Sequence, residues 1–448
     1  GGKRFAFRPG EVIVDAAAAS VVQALTPHET RVHPLPGGLV LVVGVIDPVA
    51  TAAAVRARGF RAQPNHVVFA TGESDPVFAN PATFANPATF ANPATFANPA
   101  TFANPATFAN PATFANPATF ANPAGECCCS PATVCDAAVV ETRRAPRHSC
   151  VQPAAEELDL ERTGAGPTTG CRVVVLDTGL ARPALGGVIA RVSARDPEPW
   201  GPTKFDPSIG GPTPFTPTDN HDGPDENQDL WLDPVAGHGT FISGLIARLA
   251  PGAEVRVGRV LETTGEGNDA DLAFRIGRLT GPDRPAILSL SLSCYTEDDQ
   301  PPLALSAAIA EIQYQGTVVV ASAGNDASCR ICWPAALPGV ISVGALGPSG
   351  PAPFTNWGGW VRACAPGVDI VSRFYDDVDE VDDRDPLTAT FWGWACWSGT
   401  SFAAPIVAAA IAREVLLSGI TPAAAAERVV YDERLFRLPG LGTVVNIH

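Results

Sequence analysis

Apolar residues in the N-terminal part of the chain fall into short runs separated by Gly, Pro and polar residues. Glu11 to Val14 reads as a strand, Ala16 to Leu25 as a helix, and Leu39 to Val45 as a second extended run. Pro48 to Arg58 is an alanine-rich helical stretch with Pro near its start and Gly59 past its end, and Phe60 to Ala70 reads as a closing strand. The order β-α-β-β-α-β, or a near variant, defines a small α+β module over residues 1–77. From about Glu156 the pattern becomes strand, loop and helix in alternation. Val173 to Leu176, Val255 to Leu261, Ala286 to Leu292 and Thr317 to Ala323 read as strands. Phe241 to Leu249, Ala270 to Leu279, Leu303 to Tyr314 and Thr400 to Leu417 read as helices. Strands alternating with crossover helices predict an α/β fold over 156–448, a parallel sheet with helices on both faces.

Between these two parts the hexapeptide Phe-Ala-Asn-Pro-Ala-Thr recurs over 78–124, with Phe at 78, 84, 90, 96, 102, 108, 114 and 120. A proline every sixth residue excludes a continuous helix and breaks a central sheet ladder, so neither a long helix nor a β-solenoid fits. Polyproline II, with Phe and Pro on one edge, and a spiral of Asn-Pro type I turns both fit. The expectation is a semi-rigid spacer. No repeat asparagine is a glycosylation sequon, since proline follows each.

The chain of 448 residues is long enough for two to four units. Its formal charge is −16 and its few basic residues are almost all scattered arginines, which disfavours nucleic-acid binding. Arginine, glycine or proline interrupts every apolar stretch, so no membrane span is expected. The start, Gly1 to Val14, lacks a signal-like apolar region, while the absent initiator Met leaves upstream removal open, and with it both a secreted and a cytoplasmic location. Eleven cysteines is an odd number. Cys127, Cys128, Cys129, Cys135 and Cys150 crowd into a linker at 125–155 without zinc-ribbon spacing, and a reduced linker is the expectation there.

In an open parallel sheet, reactive groups gather at the carboxyl ends of the strands. Asp177 leaves the strand Val173 to Leu176 within Asp-Thr-Gly, and His238 heads a helix within Gly-His-Gly-Thr. Asn325 follows the strand Thr317 to Ala323 within Ala-Gly-Asn, and Ser401 opens a helix within Gly-Thr-Ser-Phe-Ala-Ala-Pro. A hydroxyl, an imidazole, a carboxylate and an amide donor are the groups that acyl transfer needs. Taken singly, each has a bland structural reading as a turn, a core histidine or an N-cap.

With these motifs in the order Asp, His, Ser, the sequence from about Cys171 to Leu417 resembles the subtilisin-like serine proteases, the subtilases. The resemblance implies a serine endopeptidase with Ser401 as nucleophile, His238 as general base and then acid, Asp177 orienting His238, and Asn325 with the Ser401 N–H binding the oxyanion. It implies no cofactor for the chemistry, and activity that falls as pH drops through the imidazole range. It further implies that Ser291-Leu292-Ser293 pairs with an extended substrate and that Ser322-Ala323-Gly324 forms the facing wall of the S1 pocket. The family usually has glycines where this chain has Ser293 and Cys294. Cys332 falls at the S1 floor, which predicts mid-sized apolar P1 residues over basic ones, against the bland reading of a buried small residue.

The proline-rich insertion between Asp177 and His238 is acidic, with Asp222, Asp225, Asn227, Asp229 and Asp233. Asp225, Asn227, Asp229 and Asp233 are spaced like the start of a structural calcium loop, but Leu230 replaces the glycine and the closing glutamate is missing. A solvated acidic loop is the favoured expectation. Phe7 to Val14 and Pro64-Asn65-His66-Val67 resemble the inhibitory propeptide of many subtilases. That resemblance implies a zymogen in which the module templates folding and blocks the site until cleavage, with the repeat holding the two at high effective concentration. The cut is expected in Thr71 to Val77 or in Gly125 to Cys150, the first being favoured. The rival expectations are a permanently inhibited scaffold whose repeat is a binding surface, and an esterase or ligase on the same machinery.

Overall fold

In the computed structural model, the described residues are 5–26, 29–70, 147–148, 170–181, 221–224, 226, 232–382 and 385–445. The hexapeptide repeat, Thr71 to Val77 and nearly all of the cysteine-containing linker lie outside them.

The N-terminal elements follow the predicted order: β1 (Phe7–Asp15), α1 (Ala19–Leu25), β2 (Arg31–Leu35), β3 (Leu39–Val43), α2 (Pro48–Arg56) and β4 (Ala62–Ala70). β2 is the strand the apolar pattern misses, because Arg31, Val32 and Pro34 on it are exposed and only Leu35 is buried. The four strands form an antiparallel sheet in the order β4-β1-β3-β2. Alternation along β1 divides its side chains. Val12 and Val14 pack with Val22 of α1 and Ala52 and Val55 of α2. Ile13, with Leu39, Leu41 and Val68, instead joins the core of the larger part.

The larger part continues with β5 (Arg172–Asp177), α3 (His238–Leu249), β6 (Glu254–Arg259), β7 (Glu266–Asn268), α4 (Asp269–Gly277), β8 (Ile287–Leu290), β9 (Leu292–Ser293), α5 (Leu303–Tyr314), β10 (Val318–Ser322), β11 (Ile341–Gly347), β12 (Ala363–Pro366), β13 (Ile370–Asp382), β14 (Asp385–Trp397), α6 (Thr400–Ser418) and β15 (Gly442–Val444). The order β6-β5-β8-β10-β11-β12-β15 is parallel throughout. Val173 and Val175 face the core shared with α3 and α6, while Val174 and Leu176 face the core shared with α4 and α5. β5 is therefore apolar on both faces, as a doubly covered parallel strand must be.

α6 is the longest helix among the described residues. Its 19 residues are long and apolar enough to cross a membrane by length and composition, with mean hydropathy 1.5, and 72% of that window is buried inside the fold. Its apolar surface serves the core.

The module docks through β4, which pairs antiparallel with both β7 and β9. Polar contacts close the seam: His66 Nε2 lies 2.6 Å from Glu297 Oε2, Arg56 Nη1 donates to Glu297 Oε1 at 2.9 Å, and Asn65 Nδ2 donates to Glu11 at 2.6 Å and to Asn268 at 3.2 Å. Burial pushes the Glu11 carboxyl from 4.5 up to about 7, against the bond from Asn65 and the charge of Arg8. Burial, with the neighbouring Glu262 charge, pushes Glu266 up to about 7 as well. Between pH 4.5 and 7 the folded state thus holds protons that the unfolded chain has released. Stability should fall as pH rises across that window and level off above it. Urea titrations over pH 4–8 check this, and Glu11→Gln should flatten part of the slope.

Candidate active site

Asp177 is the last residue of β5, at the carboxyl edge of the sheet. Its Oδ1 accepts from Thr178 N at 2.8 Å and lies 2.7 Å from His238 Nδ1, and both side chains are fully buried. His238 is the first residue of α3, after Gly237 at φ 79°. A carboxylate on Nδ1 fixes the proton there and leaves Nε2 as the basic nitrogen. His238 Nε2 is buried and has no hydrogen-bond partner among the described residues. The imidazole is gripped by aromatic rings, with Trp397 edge-on at 5.4 Å and Phe402 at 5.4 Å between centroids.

Phe402 follows Ser401, so the same ring that contacts His238 anchors the start of α6. Pro405 lacks the N–H that would bond the Ser401 carbonyl four residues back. The Ser291 hydroxyl supplies a donor instead, reaching Ser401 O at 2.9 Å, while Ser401 Oγ donates to Ser291 O at 3.4 Å. A proline inside the helix thereby ties the Ser401 turn to the end of β8. Asn325 Oδ1 accepts from Thr400 N at 3.0 Å and Thr400 Oγ1 at 2.8 Å. With its oxygen turned to Thr400, the carboxamide keeps its NH2 as the donating end.

Leu292 and Ser293 form β9 and pair with Ala70 and Phe69 of β4, so the edge expected to receive an extended peptide receives the chain's own β4. Ser322 ends β10, followed by Ala323 and Gly324. Gly324 has φ 101°, and a Cβ there would meet Asn356 Nδ2 at 2.4 Å and Cys332 Sγ at 3.5 Å. Cys332 is fully buried beside this wall, and burial pushes its thiol up to about 12. Cys294, in place of a family glycine, exchanges backbone hydrogen bonds with Trp333 at 2.8 and 3.0 Å. Cys171, Cys294, Cys332, Cys364 and Cys396 are free thiols, whereas Cys329 is disulfide-bonded.

The acidic insertion differs from the expectation of a solvated loop. Asp222 and Asp233 are each 2% exposed. Asp233 Oδ2 accepts from Glu226 N at 2.8 Å and Thr263 Oγ1 at 2.5 Å, so its carboxylate closes a turn. Asp225, Asn227 and Asp229 lie outside the described residues. No group of three or more metal-ligating side chains occurs among the described residues. Sequence reasoning missed Asn356, whose Nδ2 donates to Ala323 O at 2.9 Å and whose Oδ1 accepts from Asp326 N and Ser328 N, both at 3.0 Å. It sits in no motif, so nothing local signals it. Thr178 and Thr400 were visible within Asp-Thr-Gly and Gly-Thr-Ser, but as turn residues only.

Residues 167–426 match the model of the Subtilase family, Peptidase S8, which covers more than half of the chain. The chain belongs to the subtilase family. Over 183 residues it is 36% identical to a thermophilic serine proteinase of Bacillus sp. (strain AK1), covering 38% of this chain and 40% of that protein. Over 210 residues it is 32% identical to the subtilase-type proteinase RRT12 of Saccharomyces cerevisiae, covering 44% of this chain and 39% of that protein. Over 203 residues it is 30% identical to a cuticle-degrading serine protease of Arthrobotrys oligospora, covering 43% and 45%. The chain thus spans about two fifths of the length of these relatives.

In this subtilase, Ser291→Ala removes the donor that replaces the missing Pro405 N–H. Urea denaturation should show a loss of about 1–3 kcal/mol, the usual cost of depriving a buried polar group of a partner.

Proposed function

We propose that this subtilase is the zymogen of a serine endopeptidase. The 2.7 Å contact between Asp177 and His238, on the same rim as Ser401, carries the reading. Ser401 Oγ attacks the scissile carbonyl carbon and passes its proton to His238 Nε2, while Asp177 stabilises the imidazolium through Nδ1–H. The Asn325 amide and the Ser401 N–H receive the oxyanion. His238 then protonates the leaving amine, and water repeats the sequence on the acyl-enzyme, returning Ser401. No cofactor enters these steps.

Residues 1–77 act as the inhibitory module, 78–124 as the spacer and 125–155 as the linker to the catalytic part. What supports this assignment is β4, which adds to β7 and β9 as an extended strand. Ala70 lies opposite Leu292 in an antiparallel register, and the residue after Leu292 in that direction is Ser291, which touches Ser401. The register therefore favours a cut at the start of the Thr71 to Val77 window, which leaves the repeat on the catalytic part. Structural calcium at the acidic insertion is not needed by this reading.

Incubation with casein tests it, comparing the chain as isolated with Ser401→Ala. The expected result is degradation, Ser401 labelling by a fluorophosphonate and a new N-terminus within 71–77 by mass spectrometry, all absent in Ser401→Ala. An unlabelled, unprocessed chain would favour the inhibited scaffold. Asn325→Ala should lower kcat by roughly 10²- to 10³-fold, the cost of such a donor in another subtilase.

Cys332 closes the base of S1 and sets its depth. A peptide library should return mid-sized apolar P1 residues, and a strong Arg or Lys preference would overturn this assignment.

A further inference from the structure

Asp222 stands in the insertion between the Asp177 and His238 loops, and nothing in the mechanism uses it. It ends a two-residue strand, His221–Asp222, that pairs in parallel with Leu180–Ala181 just after Asp177. Its carboxylate takes three donors. Oδ2 accepts from Thr178 Oγ1 at 2.7 Å and from Gly237 N at 3.1 Å, and Oδ1 accepts from Tyr375 Oη at 2.7 Å. Thr178 is the neighbour of Asp177 and Gly237 the neighbour of His238. Thr178 Oγ1, while donating to Asp222, accepts from Gly239 N at 3.0 Å, on the other side of His238.

One carboxylate and one hydroxyl thus join the Asp177 turn to both residues flanking His238. The packing there leaves no slack. A Cβ on Gly239 would meet Gly179 O at 2.3 Å, and one on Gly237 would meet the Phe374 ring at 2.4 Å. Tyr375 and Phe374 come from β13, so the long hairpin reaches the same junction. Burial pushes the Asp222 carboxyl up to about 6, against the bonds from Thr178, Tyr375 and Gly237 and the charge of Arg259.

We propose that Asp222, held by Tyr375, is a positioning residue that sets the separation and angle of the Asp177–His238 pair. This rests on the reading of that pair as part of a protease triad. The geometry distinguishes two substitutions. Asn can still present an oxygen to Thr178 and Gly237 while its NH2 donates to the Tyr375 oxygen, which can also accept. Ala presents nothing.

The test has two arms. In the first, kcat and KM for a small peptide are measured with the full chain. Asp222→Ala should lower kcat by about 10²-fold, the effect of displacing a catalytic group by about 1 Å. KM should stay within about twofold, because Asp222 does not touch β7 or β9. Asp222→Asn should recover most of the lost rate. Tyr375→Phe, which keeps the fold and removes one donor, should lower kcat roughly threefold to tenfold at constant KM. In the second arm, the low-field proton resonance of His238 Nδ1–H is followed in the Ser401→Ala chain and assigned by its loss on His238→Asn. It should persist in Asp222→Asn and disappear into exchange in Asp222→Ala. Wild-type kcat and an unchanged resonance in Asp222→Ala and Tyr375→Phe would overturn the proposal. So would a loss carried by KM alone. If the unaltered chain shows no Ser401-dependent hydrolysis, the protease reading fails, and the resonance arm still decides whether Asp222 orders the pair.

Discussion

The structure turns on a carboxylate–imidazole hydrogen bond placed where water does not reach. Asp177 and His238 are fully buried, 2.7 Å apart, at the carboxyl edge of a sheet whose strand β5 is apolar on both faces. A carboxylate in such surroundings is costly unless donors surround it. Thr178 N and His238 Nδ1 serve Asp177 Oδ1, Asp177 Oδ2 has no partner among the described residues, and Thr178, Gly237 and Tyr375 converge on the neighbouring carboxylate of Asp222. Two glycines, Gly237 and Gly239, allow the backbones of the two turns to approach closely enough for this.

The other half of the rim is held by a missing hydrogen bond. Pro405 withholds its N–H from the Ser401 carbonyl, and Ser291 at the end of β8 fills the gap. The start of α6 is thereby referenced to the parallel sheet itself, and Thr400 holds Asn325 from the same turn. Phe402 and Trp397 then press the His238 ring from α6 and β14. The imidazole is fixed by packing on its faces and by a carboxylate on its edge, so little rotation remains to it.

The N-terminal module uses the sheet edge that such a fold leaves open. An unpaired strand edge presents a row of backbone donors and acceptors that another strand can satisfy. β4 occupies two such edges at once, β7 and β9, while Ile13, Leu39, Leu41 and Val68 fill a core shared with α4 and α5. Backbone pairing sets the register of this contact and apolar burial supplies its strength. The His66, Glu297, Glu11 and Asn65 contacts give the seam its dependence on protonation.

Period and motif made the elements legible in the sequence. A short apolar run gave β1, the alanine-rich run gave α2, the continuous apolar runs gave β5, β8 and β10, and Asp-Thr-Gly, Gly-His-Gly-Thr and Gly-Thr-Ser marked three turns of the rim. Leu303–Tyr314 coincides with its predicted span because both helix ends are written in local residues. The long hairpin β13–β14 and strands β11 and β12 were not foreseen, since short apolar runs there carry no period that separates strand from loop. Asp222 and Asp233 are buried where a solvated loop is expected, because composition counts charges without saying which of them find donors. By itself the sequence determined the order of elements and the residue types offered at the strand ends, because propensity and periodicity are local. Only the tertiary structure decided that Asp222 is buried under Tyr375, that Asn356 braces Gly324 and that β4 lies along β9. Those facts depend on partners tens to hundreds of positions away, which come together only when the sheet closes its layers.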